Sequence, residues 1–301
     1  MLWYREATLP VNERNPETKI FLINKGEPIR TVATNLKKEG LIRDPLAFFI
    51  MVKRQNVEKY IQAGDFRLST AMSASAILTE LQHGTIDVWI TIPEGWRKEE
   101  IALELAKELA IPENEFIEHA QEGYMFPDTY LFPREASGSA VAEKMLSTFD
   151  QKVTEPLSNQ ISSSGFTLNE IVTLASIVER EALYDEERPM IASVLINRLN
   201  AGQALEVDAT IQYIVGYQAD EKDWWKASIT VEDKELDSLY NTYKYPGIPP
   251  DPIANPGLSS INAVLNPAES DYLYYLHDGD GVVHFATTFQ EHQRNIETYL
   301  R

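Results

Sequence analysis

The chain has 301 residues, 44% of them hydrophobic and 24% charged, enough apolar material for a core and too much for wholesale disorder. Its 46 acidic against 27 basic residues leave a net charge of -19, the wrong sign for nonspecific nucleic-acid binding and for resting on an anionic membrane surface. There is no cysteine, which excludes disulfides, thiolate metal sites and cysteine nucleophiles.

At roughly 100–200 residues per domain, this length predicts two domains. The start, "MLWYREATLP", lacks the regions of a signal peptide, and the longest apolar stretches, such as "LAFFIMV" at 46–52, fall short of the ~20 residues that span a bilayer. Either the chain is cytoplasmic, or a leader or anchor has been removed.

The first third carries an internal repeat. "IFLINKGEPIRTVATNLKKEGLI" and "VWITIPEGWRKEEIALELAKELAI" each read strand, glycine turn, amphipathic helix, with Gly26, Ala33, Leu36 and Ile42 matched by Gly95, Ala102, Leu105 and Ile111. The alternative, that any two strand-turn-helix units look alike, stays open. Between them lie helical "DPLAFFIMVKRQ", strand "AGDFRLS" and helical "SASAILTELQHG". Residues 1–120 therefore read as a small α+β region. "EGYMFPDTYLFPREASGS" follows as an ordered hinge over 121–138, with Phe126 and Tyr130 as anchors.

From residue 139 the pattern turns helical. "SAVAEKMLSTFDQKV" precedes "LNEIVTLASIVEREA", which opens on a Thr167–Glu170 capping box, and "EERPMIASVLINRLNAG", which runs out at Gly202. "DATIQYIVG" is a short helix with Asp208 as its predicted N-cap, and a proline-rich irregular segment spans Asn241 to Gly257. The chain closes with a hairpin, "YLYYLHDGDGVVHFAT", and a helix capped by Thr288 and Glu291. The expected fold class is α+β, its second domain, 139–301, mainly helical with a small β element.

On the helix opened by Thr167, Leu174, Ala175, Val178 and Ala182 share one face. Glu181 lies roughly 70° from that stripe and Glu179 roughly 90° on its other side. The two carboxylates diverge by about 200°, so at most one faces a given cleft. Glu181 is closer to the apolar face, where partial burial would raise its pKa toward the range of a general acid. The bland alternative is that both are solvated helix charges. The loop "YNTYKYPGIPPDPIANPG" has too many prolines for regular structure, while its Tyr and Asn side chains suit stacking on and hydrogen bonding to carbohydrate; the alternative is a structural loop. The five histidines lack metal-ligand spacing, so no metal is expected, and GxSxG, Walker and GxGxxG motifs are missing. His284 in the last hairpin is expected to pack across strands.

The stretches "AGDFRLS", "IPEGW", "EGYMFPDTYLF", "LASIVERE", "ASVLINRL", "VDATIQYIVG", the proline loop, "YLYYL" and "HFATTFQEHQRN" run in the order found in the YceG-like, or MltG, endolytic murein transglycosylases, and the sequence resembles that family from about residue 19 onward. The resemblance implies a LysM-like N-terminal region, a catalytic domain related to lytic transglycosylases, no cofactor, and peptidoglycan glycan strands as substrate. It also implies cell-wall synthesis proteins as partners, no nucleic acid, and action outside the cytoplasm through an N-terminal membrane anchor that this chain does not contain. It places the catalytic acid in "ASIVERE" at Glu181, with Glu179 as fallback. Substrate-binding roles carry over to Asp208, Thr210, Asn241, Thr242, Tyr243, Pro249 and Asn255: Asn241 and Tyr243 to hold sugars, Asn255 to shape the loop. The run Glu206–Val207–Asp208–Ala209–Thr210 departs from the family, which often has Asp-Pro-Thr there.

The reaction so implied is nonhydrolytic cleavage of the β-1,4 bond between N-acetylmuramic acid and N-acetylglucosamine. Glu181 acts first as acid and then as base while the muramyl C6 hydroxyl closes on C1 to leave a 1,6-anhydro end. A hydrolytic muramidase, which needs two carboxylates, and a glycan-binding scaffold that cuts nothing are the rival readings.

Overall fold

The structure is a computed structural model that describes residues 2–24, 26–83 and 87–300. Gly84, the last residue of the predicted helix "SASAILTELQHG", lies outside the described residues. In chain order the elements are α1 (Leu2–Ala7), β1 (Thr18–Ile23), α2 (Ile29–Lys38), α3 (Pro45–Gln55), β2 (Gly64–Ser69), α4 (Ala74–His83), β3 (Val88–Thr91), α5 (Lys98–Leu109), α6 (Glu113–Ile117) and β4 (Thr129–Phe132). Then come α7 (Gly138–Phe149), α8 (Ser158–Ser163), α9 (Leu168–Glu181), α10 (Arg188–Asn200), α11 (Asp208–Val215), α12 (Leu258–Leu265), β5 (Tyr274–His277), β6 (Val283–Ala286) and α13 (Phe289–Tyr299). Small two-stranded sheets among many helices make this an α+β chain.

It divides into two compact units: residues up to Trp89 with Leu131–Glu135, and Ile90–Tyr130 with Ala136 onward. The expected 1–120 region holds both strand-turn-helix copies; here the second copy lies in the second unit from Ile90 on, and only its first two residues, Val88 and Trp89, in the first. In the first unit β1 and β2 pair antiparallel, Thr18 opposite Ser69 and Ile23 opposite Gly64. Strand alternation sends Phe21 and Ile23 into the core and leaves Ile20 and Leu22 exposed. Helices α2 and α3 close that core with Val32, Leu36, Phe48 and Val52.

The repeat is physical. Gly26 and Gly95 both take left-handed backbone, φ 79° and 76°, where a Cβ would be strained. Each helix begins three residues later, and Ala33, Leu36 and Ile42, like Ala102, Leu105 and Ile111, are all buried.

In the second unit α9 is central, with α10, α11 and α12 packed against it. The predicted stripe is therefore too narrow: Ile171 through Val178 are buried without interruption. The Thr173 hydroxyl is buried without a hydrogen-bond partner, whereas Ser176 tolerates burial because its hydroxyl donates to the Thr173 carbonyl (2.7 Å) and accepts from the Ile253 amide (3.0 Å). That last bond docks the proline loop onto α9. Gly123, at φ +86°, lies so close to the loop that a Cβ would run into Pro252 and come within 2.9 Å of Val172.

Candidate active site

Helix α9 starts as its sequence dictates, with the Thr167–Glu170 capping box formed in both directions. It ends on the two glutamates, which go to different places. Glu179 is 5% exposed, and both its oxygens are occupied. Oε1 accepts from the Arg188 guanidinium (2.8 Å), and Oε2 accepts from the Gly257 amide (2.9 Å) and the Ser260 hydroxyl (2.7 Å). It is neither solvated nor open to a cleft. It is a buried anion that ties α9 to α10 and to the N-terminal end of α12, where helix amides favour negative charge.

Glu181, the last residue of α9, lines a cavity of about 340 Å³ together with Arg198, Glu206, Asp208, Tyr243, Tyr274, Tyr275 and one face of α13. Its Oε2 accepts from the Tyr275 hydroxyl at 2.7 Å. Burial raises its pKa above the ordinary carboxylate value. The Tyr275 bond, the Ala209 amide and the nearby His277 pull it back down, while Asp208 pushes it up. Burial beside Glu181 holds the Tyr275 phenol well above its usual pKa, so it stays a neutral donor.

Of the residues expected to bind substrate, the structure brings Asp208 and Tyr243 to this cavity. Asp208 is not the N-cap predicted for α11; Val207 is, and Asp208 is the first helical residue. The reason is Thr242, whose hydroxyl accepts from the Val207 amide (3.0 Å) and contacts the Thr210 hydroxyl (2.9 Å), while Thr210 donates to the Val207 carbonyl (2.7 Å). With the helix start anchored by these two threonines, the Asp208 carboxylate is released to accept from the Tyr243 hydroxyl (2.6 Å) and to pair with Lys234 (3.0 Å).

Thr210, Thr242, Asn241, Pro249 and Asn255 are buried and do not line the cavity. The Asn241 amide donates to the carbonyls of Lys234 and Leu236 (2.9 and 2.7 Å) and its oxygen accepts from the Tyr243 amide (3.0 Å), so it sets the loop that carries Tyr243 and does not itself face the cavity. Asn255 donates to the Trp96 carbonyl and to Glu122 (both 2.9 Å) and accepts from the Met125 amide (2.9 Å). Instead of packing across strands as expected, His284 stacks its ring on Tyr299 of α13, 3.6 Å away, and its Nε2 lies against Asp278.

Sequence reasoning missed Tyr275, Arg198 and His292. Strand alternation through "YLYYL" separates Tyr275 from its neighbours, but only the hairpin's docking tells which side meets α9. Arg198 belongs to α10, where it is one of many helix cations; packing leaves it buried, paired with Glu206 and bonded to the Ala204 and Leu273 carbonyls.

The YceG-like family profile matches residues 21–298. An endolytic murein transglycosylase of Bacillus subtilis is 31% identical over 99% of this chain and 89% of its own length. One from Streptococcus pneumoniae is 29% identical over 98% of this chain, which spans 61% of that longer relative. A crystal structure of a YceG-like protein from Listeria monocytogenes superposes with a TM-score of 0.62 at 30% identity, covering 93% of this chain and 99% of that one. With the motifs in family order and the match running nearly end to end, the chain belongs to the YceG-like family of endolytic murein transglycosylases.

Proposed function

We propose that the chain cleaves peptidoglycan glycan strands internally between N-acetylmuramic acid and N-acetylglucosamine, leaving 1,6-anhydro ends, with Glu181 as general acid and then base. The observation that carries this is a single α9 carboxyl, desolvated in a cavity and oriented by the Tyr275 hydroxyl. Its raised pKa favours the protonated form needed to donate to the leaving glycosidic oxygen. The carboxylate so formed, still held by Tyr275, takes the proton of the C6 hydroxyl as that oxygen closes on C1. Glu179 cannot share this work, because Arg188, Gly257 and Ser260 occupy it.

Asp208 favours a second reading. It lines the same cavity, and a second carboxylate is what hydrolysis by a muramidase requires. Its bonds to Tyr243 and Lys234 support a binding role instead. Mass spectrometry of purified glycan strands after digestion separates the outcomes: anhydro ends support transglycosylation, reducing ends support hydrolysis, and intact strands leave only a scaffold. Glu181→Gln is expected to lower turnover about 10²- to 10⁴-fold with the fold intact; a fully active Glu181→Gln protein would sink the assignment.

We further propose a LysM-like, glycan-holding role for the first unit. Its β1–α2–α3–β2 order and a cavity of about 420 Å³ between the Gly26 turn and residues 58–63 support this reading. Among the described residues no helix is long and apolar enough to cross a membrane. Action outside the cytoplasm, with an anchor from elsewhere in the protein and cell-wall synthesis partners, is likewise proposed from the family.

A further inference from the structure

The proposed chemistry leaves one wall of the cavity without a task. Helix α13 turns Phe289, His292 and Ile296 toward it, spaced so that they share one helical face, and Leu300 just past the helix end joins them. Among the described residues of α13 none is fully buried, and Phe289 and Ile296 are 56% and 40% exposed. The helix is held to the hairpin by rings: His292 stacks on Tyr274 (5.2 Å, 22°), and Tyr299 stacks on His284 (3.6 Å).

His292 has an unusual polar arrangement. Its Nδ1 is buried without a hydrogen-bond partner, which leaves Nε2 as the ring's open polar edge. A buried N–H with no acceptor is more costly than a buried lone pair with no donor, so the single proton belongs on Nε2. A second proton would have to sit on the buried Nδ1 near Arg198; burial first, and then that cation, lower the pKa of the ring. His292 is thus a neutral donor set among apolar side chains. That combination suits a neutral carbonyl bearing a methyl group.

We propose that the α13 face of the cavity is the subsite for an N-acetylamino sugar, with His292 Nε2–H donating to the acetamido carbonyl oxygen and Phe289 and Ile296 receiving the acetamido methyl. This rests on the glycan-cleaving reading above. It adds a specificity determinant separate from the acid: His292 selects the acetylated sugar and takes no part in proton transfer at the glycosidic bond.

The test uses the full chain carrying Glu181→Gln, so that bound oligosaccharide stays intact, titrated calorimetrically with chitotetraose and with its fully de-N-acetylated counterpart. Adding His292→Phe keeps a ring on Tyr274 and removes the donor. It should weaken chitotetraose binding about 3- to 10-fold, the range of one neutral hydrogen bond, and leave the de-N-acetylated tetramer unchanged. His292→Gln, which restores an N–H donor, should recover part of the loss, and an unchanged melting temperature for His292→Phe would show that the stack survives. Equal weakening of both sugars, no change in either, or no binding of chitotetraose before His292 is altered would overturn the subsite. Strand cleavage by the unmutated chain is assayed in parallel. Anhydro products alongside a negative titration reject only the subsite, whereas uncut strands reject the glycan-cleaving reading itself.

Discussion

Glu179 and Glu181 stand two residues apart on α9, and that spacing alone sends them to different surroundings. Glu179 meets Arg188 and the amide end of α12; Glu181 meets Tyr275 and a cavity. Replacing Glu179 by Gln keeps an acceptor for Gly257 and Ser260 but removes the charge opposite a buried guanidinium. The cost should be about 2–3 kcal/mol, less than the roughly 3–5 of a buried pair fully broken, because Asp185 still pairs with Arg188. Thermal melts check it, and an unchanged melting temperature would mean that the pair contributes nothing. The Tyr275 hydroxyl bonds to the charged form of Glu181 and so lowers its pKa. In Tyr275→Phe the pKa rises further, the acid stays protonated to higher pH, and the alkaline limb of the activity profile moves up. A limb that moves down would refute this account.

At the scale of elements, three segments distant in sequence meet at Gly123: the stretch after α6, the proline loop and α9. Ala at this position would collide with Pro252 and strain a left-handed backbone, so Gly123→Ala should displace the loop that carries Tyr243. The expected result is a loss of stability of at least about 1–3 kcal/mol, typical of overpacking, together with weaker glycan binding; retention of both in melts and titrations would show that the loop can shift without consequence. The loop's irregularity was legible from its prolines. Its tasks were not, because an Asn that binds sugar and an Asn that satisfies its own loop have the same letter. Only the bonds from Asn241 to Lys234 and Leu236, and from Asn255 to Trp96 and Glu122, tell them apart.

For the molecule as a whole, Glu122 links acidity to stability. It is buried, accepts from the Lys98 amide at the start of α5 and from Asn255, and has its pKa pushed up to about 8, chiefly by burial and then by Glu99. A carboxyl whose folded pKa is raised contributes stability that is fully present below its unfolded value of 4.5 and is lost as pH rises toward 8. Across that window the loss approaches about 1.4 kcal/mol per pH unit from this group. Glu122→Gln should flatten the dependence, so that melts at pH 5 and pH 8 differ less than those of the unmutated chain. An unaltered difference would show that Glu122 ionises without penalty in the fold.

By itself the sequence determined most of the longer helices and strands, though not α1, α6, α8, α12 or β4, together with the Gly26 and Gly95 repeat, the capping of α9 and α13, and the rule that only one of two neighbouring glutamates can enter a cleft. These follow from local physics: residue spacing, cap chemistry and backbone preference act over a few residues. The tertiary structure alone decided that Glu179 is neutralised by Arg188, that Thr210 and Thr242 release Asp208 from its cap, and that Tyr275 and His292 join Glu181 at one cavity. Each of these depends on groups far apart in the chain whose meeting is set by packing, and no local pattern encodes which side of a helix or hairpin its partners will cover.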